Sequence, residues 1–124
     1  MEINHKTCRA VMVVEDDEAI RSSMVEMLEL EGYATYAATN GQEALDLLIN
    51  DIPKPCLVLL DRMMPIMNGR EFLDAIMKDA MLAPIPVLIV SAVADPINSM
   101  GSIGFLKKPI DVNNVLDIVS RYCC

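Results

Sequence analysis

The stretch that most constrains the fold is an apolar run that ends in a single carboxylate. Residues 57–60 are all aliphatic, and Asp61 follows them directly. An apolar run without alternation is typical of a strand that is covered on both faces. Pro65 and Gly69 then interrupt the chain before a helical pattern begins. We therefore expect Asp61 at the carboxyl end of a central strand, the edge where open α/β sheets bind ligands. Taken alone, an aspartate in this position more often only caps a loop.

Strand-like and helix-like segments alternate along the chain. Apolar runs predict strands at residues 9–14, 33–38, 57–60, 87–90 and 103–106. Apolar residues at helical spacing predict helices at about residues 18–31, 70–79 and 112–119, and one more after residues 39–43. This order predicts a parallel sheet with helices on both faces, in one domain over residues 9–124 that follows a tail at residues 1–8. Between the last two strands, two glycines and a proline predict a shortened or irregular helix.

Composition excludes several classes of protein. The 124 residues suit one domain, and the hydrophobic content of 53% predicts a folded chain. The net charge of -8 argues against binding to nucleic acid or to anionic membranes. The sequence has neither an apolar run long enough for a membrane span nor a signal-peptide core, so we expect a cytoplasmic protein.

The four cysteines fit the expectation of a cytoplasmic protein. Cys8 and Cys56 flank predicted strands, and we expect both to be plain thiols. Cys123 and Cys124 are adjacent, and a bond between neighbours would be strained. No CxxC spacing or histidine partner supports a zinc site.

Polar side chains follow four of the five predicted strands. Glu15 and Asp16 follow the first, Asp61 the third, Ser91 the fourth and Lys108 the fifth. Because parallel strands end at one edge of a sheet, these side chains should converge there. Clustered carboxylates repel one another unless a positive charge intervenes, and both Mg²⁺ and a lysine supply one. A carboxylate, Mg²⁺, a lysine and a hydroxyl together describe a phosphoryl site, in which the carboxylate can become an aspartyl phosphate.

Four segments together resemble the receiver domain of two-component response regulators. They are residues 13–21 (VVEDDEAIR), 61–69 (DRMMPIMNG), 91–92 (SA) and 105–109 (FLKKP). Each segment is weak alone, but all four occur in order after predicted strands. The resemblance implies a flavodoxin-like (βα)5 fold, a three-layer sandwich whose parallel sheet has the order 2-1-3-4-5.

The resemblance also implies how the acidic residues act. Asp61 matches the phospho-acceptor, which takes a phosphoryl group from a sensor histidine kinase or a histidine phosphotransferase. Asp16, Asp61 and the main-chain carbonyl of Met63 would ligate Mg²⁺, and Glu15 would act through a metal-bound water. A shift of the acidic pair by one residue, to Asp16 and Asp17, is the alternative for the first strand. The acidic turn as a whole could also simply favour the start of a helix.

The basic, hydroxyl and aromatic residues have implied roles as well. Lys108 would pair with the acceptor and then with its phosphate, and the bond from Lys108 to Pro109 is typically cis in this family. Ser91 matches the hydroxyl that moves to the phosphoryl oxygen, and Phe105 matches the aromatic residue that turns inward with it. Taken alone, Ser91 would more often be a strand-end cap, Phe105 a core residue and either lysine a surface charge.

The chain departs from the family at two places. The segment between Ser91 and Lys108 looks short, which leaves dimerisation through its helix open. Met63 and Val93 occupy positions that tune loss of the phosphate, and since both are apolar we expect slow self-dephosphorylation.

No DNA-binding segment is present, so the output should be a surface change that a downstream effector protein reads. The choice of kinase should depend on helix-one residues such as Arg21, Ser22 and Val25.

Two other functions share parts of this pattern. An Mg²⁺-dependent phosphatase of the aspartyl-phosphate type has a similar nucleophile and metal, but it usually carries a second aspartate where Met63 stands. A flavodoxin-like electron carrier has a phosphate loop rich in serine and threonine, whereas the matching turn here is acidic. We therefore expect a signalling module that catalyses only its own phosphotransfer and slow dephosphorylation, rather than an enzyme.

Overall fold

The computed structural model describes residues 9–92 and 101–123. Within these ranges the strands are β1 (Val11–Val14), β2 (Thr35–Ala38), β3 (Leu57–Asp61), β4 (Val87–Ser91) and β5 (Gly104–Lys107). The α-helices are α1 (Glu18–Leu30), α2 (Gly41–Asp46), α3 (Gly69–Met77) and α4 (Val112–Tyr122). Helix α2 continues as one π-helical turn over Leu47–Asp51.

The five strands form one parallel sheet in the order β2-β1-β3-β4-β5. This confirms the predicted fold class and strand order. Every residue of β1, β3 and β4 is buried, as the unbroken apolar runs predicted. Val14 of β1 lies opposite Leu60 of β3. The next residue of each chain segment, Glu15 and Asp61, therefore lies at the same carboxyl edge of the sheet.

The helices cover both faces of the sheet and complete a three-layer sandwich. On one face, side chains of the sheet pack with Ala44 of α2 and Phe72 of α3. On the other face, they pack with Leu28 of α1 and Val119 of α4. Burial of these apolar stripes is the main force that holds the helices on the sheet.

Polar caps fix where all four α-helices begin. The Asp17 side chain accepts a hydrogen bond from the backbone N–H of Ile20 at the start of α1. Asn68 and Glu71 form a capping box at the start of α3. Asp111 caps α4, where its side chain accepts from the Asn113 N–H.

The predicted irregular helix between β4 and β5 is the part of the fold expectation that the structure does not address. Residues 93–100, which include Val93, lie outside the described residues. The described part of this connection contains Gly101 with a positive φ of 81°.

One expectation about the cysteines was wrong. Cys56, expected to be a plain thiol, forms a disulfide with Cys123, and their Cα atoms are 5.4 Å apart. The two residues are 67 positions apart in the chain, so no local spacing indicates the pair. It forms because α4 packs back over the sheet and ends beside the start of β3. Cys8 and Cys124 lie outside the described residues.

A search for membrane spans within residues 9–92 and 101–123 gave none: no helix there has both the length and the apolar composition to cross a bilayer.

Candidate functional site

Three carboxylates meet at the carboxyl edge of the sheet. Glu15 and Asp16 follow β1, and Asp61 is the last residue of β3. One oxygen from each of the three lies within 4.8 Å of the other two. Glu15 and Asp61 are buried, whereas Asp16 is exposed, so the cluster opens to solvent on the side of Asp16. The parallel sheet thus brings together the acidic residues that the sequence predicted to converge.

Lys108 joins this cluster from the end of β5. Its Nζ forms an ion pair with Oε1 of Glu15 and lies 3.4 Å from Oδ1 of Asp61. Its backbone N–H donates to the carbonyl of Ser91 across 2.9 Å, which ties it to the end of β4. The peptide bond from Lys108 to Pro109 is cis, as the resemblance implied. Lys107 is exposed, so Lys108 is the lysine that faces the carboxylates.

The charges in the cluster are only partly balanced. Burial raises the pKa of Glu15, and the nearby charge of Asp61 raises it further, against hydrogen bonds from Lys108 and from the Asp17 N–H. Burial alone would lower the pKa of Lys108, but its hydrogen bonds and charge interactions with Glu15 and Asp61 outweigh burial and raise it. One ammonium therefore faces three carboxylates, which leaves an excess of negative charge.

This donor set suits a hard divalent cation. Carboxylate oxygens are the ligands that Mg²⁺ prefers, and Mg²⁺ keeps several waters when one or two carboxylates bind it. The exposed side of the cluster, at Asp16, leaves space for such waters. Met63 lies in the loop after Asp61, with a side chain that is 64% exposed. The role of its main-chain carbonyl as a ligand stays a prediction.

Helix capping separates Asp17 from the other acidic residues of its turn. Oδ1 of Asp17 accepts from the Ile20 N–H at 3.0 Å and so belongs to the start of α1. Glu15 and Asp16, by contrast, lie with Asp61 in the carboxylate cluster. The geometry therefore favours Glu15 and Asp16 over the pair shifted by one residue.

Ser91 and Phe105 lie on the strands beside the cluster. Ser91 is the buried last residue of β4, and the residue before it, Val90, pairs with Asp61. Phe105 is a partly buried residue of β5 that packs against the core on the α2 and α3 side. Their predicted roles in switching stay predictions, but the fold places Ser91 on the strand next to Asp61.

The loop from β3 to α3 packs tightly against the backbone of Asp61. The N–H of Gly69 donates to the carbonyl of Arg62 at 2.9 Å. A Cβ at Gly69 would lie only 2.5 Å from the carbonyl oxygen of Asp61. Ile66, in the same loop, has a φ of 70°, which is strained for a β-branched residue, and such strain is common at functional sites. The loop geometry thus depends on glycine at position 69.

Sequence reasoning missed the structural part that Arg21 plays at the site. Nη1 of Arg21 donates to the carbonyl of Glu15 at 2.9 Å and to that of Asp16 at 3.3 Å. The guanidinium thereby fixes the turn that carries both carboxylates. The only signal in the sequence is a basic residue one helical turn after the start of α1, and that pattern is usually a surface charge.

The chain belongs to the response regulator receiver domain family, which matches residues 11–120. Receiver domains of this family take phosphoryl groups from histidine kinases or phosphotransferases. The match covers nearly all of the described fold and favours the receiver over the phosphatase alternative.

Two curated relatives are matched over almost their full length. The polar-differentiation response regulator DivK of Brucella anthropi is 33% identical, over 92% of this chain and 95% of that protein. The sporulation initiation phosphotransferase F of Bacillus subtilis is 32% identical, over 90% of this chain and 91% of that protein. The probable transcriptional regulator ycf29 of Pyropia yezoensis is 36% identical, but the match spans 90% of this chain and only 51% of that protein.

Solved structures show the same fold. The chemotaxis response regulator CheY4 of Vibrio cholerae has a TM-score of 0.82 and 26% identity, over 94% of this chain and 99% of that one. The response regulator TrrA of Thermotoga maritima, in complex with Mg²⁺-BeF, has a TM-score of 0.81 and 26% identity, over 92% and 98% of the two chains. A receiver with this fold therefore binds Mg²⁺, and this chain has an acidic cluster of Glu15, Asp16 and Asp61 that could hold such an ion.

Proposed function

We propose that Asp61 is the phospho-acceptor of a two-component phosphorelay and that Lys108 and Ser91 serve the same reaction. The observation that carries this proposal is the position of Asp61. Its buried carboxylate lies 3.4 Å from Lys108 Nζ and within 4.8 Å of ligand oxygens of Glu15 and Asp16. A carboxylate in this setting stays nucleophilic if a cation offsets the neighbouring negative charge.

The reaction forms one bond and breaks one. A carboxylate oxygen of Asp61 attacks the phosphorus of a phosphohistidine on the partner, the P–N bond breaks, and the imidazole leaves and takes up a proton. Mg²⁺, when bound, neutralises charge on the transferring oxygens. Lys108 turns its ammonium from the carboxylates to the phosphoryl group, and the Ser91 hydroxyl donates to a phosphoryl oxygen. Asp16 and Asp61 would hold the cation, and Glu15 would act through a metal-bound water.

The proposed partners follow from this chemistry. The donor is a sensor histidine kinase or a histidine phosphotransferase, and the reader is an effector protein that recognises the phosphorylated surface. The net charge of -8 argues against direct binding to nucleic acid. The protein catalyses its own phosphotransfer and does not turn over a separate substrate.

Acetyl phosphate with Mg²⁺ tests the acceptor directly. The wild-type protein should gain the mass of one phosphoryl group in intact mass spectrometry, and Asp61→Asn should gain none. Asp17→Asn is the matched control, because Asp17 lies in the same acidic region but caps α1, and asparagine caps equally well. It should be phosphorylated like the wild type. Labelling of Asp61→Asn at the wild-type level would contradict the proposal.

The same incubation distinguishes a receiver from a phosphatase. A receiver accumulates the phosphorylated form and, once acetyl phosphate is removed, loses it slowly, with one phosphate released per molecule. Steady release of inorganic phosphate over many turnovers would support the phosphatase instead.

A further inference from the structure

We propose that the disulfide between Cys56 and Cys123 is a redox-responsive latch that fixes the carboxyl end of α4 to the sheet. This inference does not rest on the phospho-acceptor proposal. Both residues are buried, with exposed fractions of 4% for Cys56 and 1% for Cys123. Their bond lies at the amino-terminal edge of the sheet, opposite the edge that carries Asp61.

The two halves of the latch are anchored differently. Cys56 is held rigidly, because its N–H donates to the carbonyl of Ala10 at 2.9 Å just before β3 begins. Cys123 lies at the end of α4 and is held by its helix, where its N–H donates to the carbonyl of Val119 at 2.8 Å. Opening the bond therefore releases the helix end, while the strand end stays in place.

The rest of α4 has its own attachment to the core. Val115 and Val119 are fully buried against the sheet and α1. Lys108 precedes α4, and its ion pairs with Glu15 and Asp61 hold that side of the connection. Reduction should therefore loosen the final turns of α4 without unfolding the domain and without removing Lys108 from the carboxylates.

The chemistry is a thiol–disulfide exchange with a low-molecular-weight disulfide as oxidant. One cysteine thiolate attacks that disulfide and releases one thiol, and the second cysteine then attacks the mixed disulfide and releases the other. One protein S–S bond forms and one small-molecule S–S bond breaks. The two cysteine protons pass to the released thiols, and two electrons pass to the oxidant.

Because both sulfurs are buried, this exchange requires a movement of the protein. An attacking thiol reaches either sulfur only when the end of α4 moves off the sheet. The rate of oxidation thus reports how often α4 opens, and the closed bond makes that opening rarer, so that reduction is slow. The surface of α4 would then respond to the redox state at one edge of the sheet, independently of chemistry at the other edge.

Hydrogen exchange on the full-length protein tests the latch. One sample is oxidised with glutathione disulfide, and the other is reduced with a phosphine. Alkylation and peptide mapping should find Cys56 linked to Cys123 only in the oxidised sample. Amides near the end of α4 should exchange at least about tenfold faster after reduction, while those of β1 stay unchanged. A bond to Cys8 or Cys124 in place of this pair, or equal exchange in the two samples, would overturn the inference.

Adjacent cysteines provide matched variants. Cys123→Ala should lower the Tm of the oxidised protein by roughly 10 °C, because the bond closes a long loop, and reduction should change it no further. Cys124→Ser should keep the wild-type difference between oxidised and reduced protein. Acetyl phosphate labelling should be the same in both redox states. A Cys124→Ser protein that loses the redox difference would refute the assignment of Cys123.

Discussion

At the residue scale, burial in the fold disfavours the charged form of Glu15. Its pKa is raised above the ordinary value of 4.5, first by burial and then by Asp61. The folded state therefore binds this proton more tightly than the unfolded state does. The resulting contribution to stability is fully present below 4.5 and is lost as the pH rises through the folded-state pKa.

Glu15→Gln should therefore stabilise the metal-free protein at neutral pH, because glutamine carries no charge to desolvate. The gain should shrink in acid, where the wild-type carboxyl is itself protonated. Thermal unfolding in EDTA across this pH range measures the difference. Glu26→Gln, on the exposed side of α1, is the control for the loss of a glutamate charge and should change the Tm at neutral pH little. A Glu15→Gln protein less stable than wild type at neutral pH would mean that the Lys108 ion pair dominates.

Met63 should set how long the phosphoryl group survives on Asp61. Its side chain is 64% exposed and apolar, so it cannot position an attacking water by a hydrogen bond. Met63→Asn should speed loss of the phosphate severalfold, as followed by intact mass over time. Met81→Asn is the control, since Met81 is equally exposed at 65% but lies beyond α3. A decay rate unchanged or slower in Met63→Asn would count against the hypothesis.

Single residues also show where sequence reasoning succeeds and where it ends. The convergence of Glu15, Asp16, Asp61 and Lys108 was predictable, because each follows a strand of a parallel sheet. The position of Arg21 was not, since a hydrogen bond from a side chain to two carbonyls leaves no pattern in the sequence.

At the element scale, the start of α3 depends on Gly69. Gly69→Ala would place a Cβ 2.5 Å from the Asp61 carbonyl oxygen and 2.9 Å from the Arg62 Cα, both rigid backbone atoms. We expect a loss of about 2 kcal/mol or more in unfolding free energy, measured by urea denaturation. Gly104→Ala in β5 is the matched control, because its nearest atom is a Leu88 side-chain carbon at 3.6 Å. Equal effects of the two substitutions would refute the steric argument.

The limits of the elements were harder to predict than their order. The apolar pattern placed the fifth strand at residues 103–106, whereas β5 is Gly104–Lys107. Pairing with β4 decides this, because Gly104 lies opposite Leu88 and Lys107 lies opposite Ser91. Similarly, β2 begins at Thr35 rather than at Tyr33, whose N–H donates back to Leu28 at the end of α1. Hydrogen bonds to a neighbouring element set both limits, and the sequence pattern does not contain them.

At the scale of the whole molecule, Mg²⁺ should raise the stability of the fold. The ion offsets the repulsion among Glu15, Asp16 and Asp61, and it binds only when β1 and β3 hold these residues together. At a hundredfold excess over its Kd, the gain should be about 2.7 kcal/mol, visible as a rise in Tm. Asp16→Ala should abolish most of this rise, and Asp17→Asn should retain it. A rise of the same size in Asp16→Ala would place the ion elsewhere.

The overall architecture was predictable because alternating strands and helices leave few topologies open. The link between Cys56 and Cys123 was not, since it depends on how α4 comes to lie on the sheet. A contact between the end of α4 and the start of β3 exists only in the complete three-layer fold.

The two hydrogen bonds of Arg21 have a practical consequence for anyone who tries to redirect this receiver. Arg21, Ser22 and Val25 lie together along a groove of about 530 Å³ between α1 and β2, where a partner-specificity screen would start. Exchange of Arg21 in such a screen would also remove the two hydrogen bonds that hold the backbone carbonyls of Glu15 and Asp16. A change of partner in an Arg21 variant could then not be separated from a change in the affinity for Mg²⁺. Of these three residues, Ser22 and Val25 can be exchanged without loss of those hydrogen bonds, so their variants would measure partner recognition by itself.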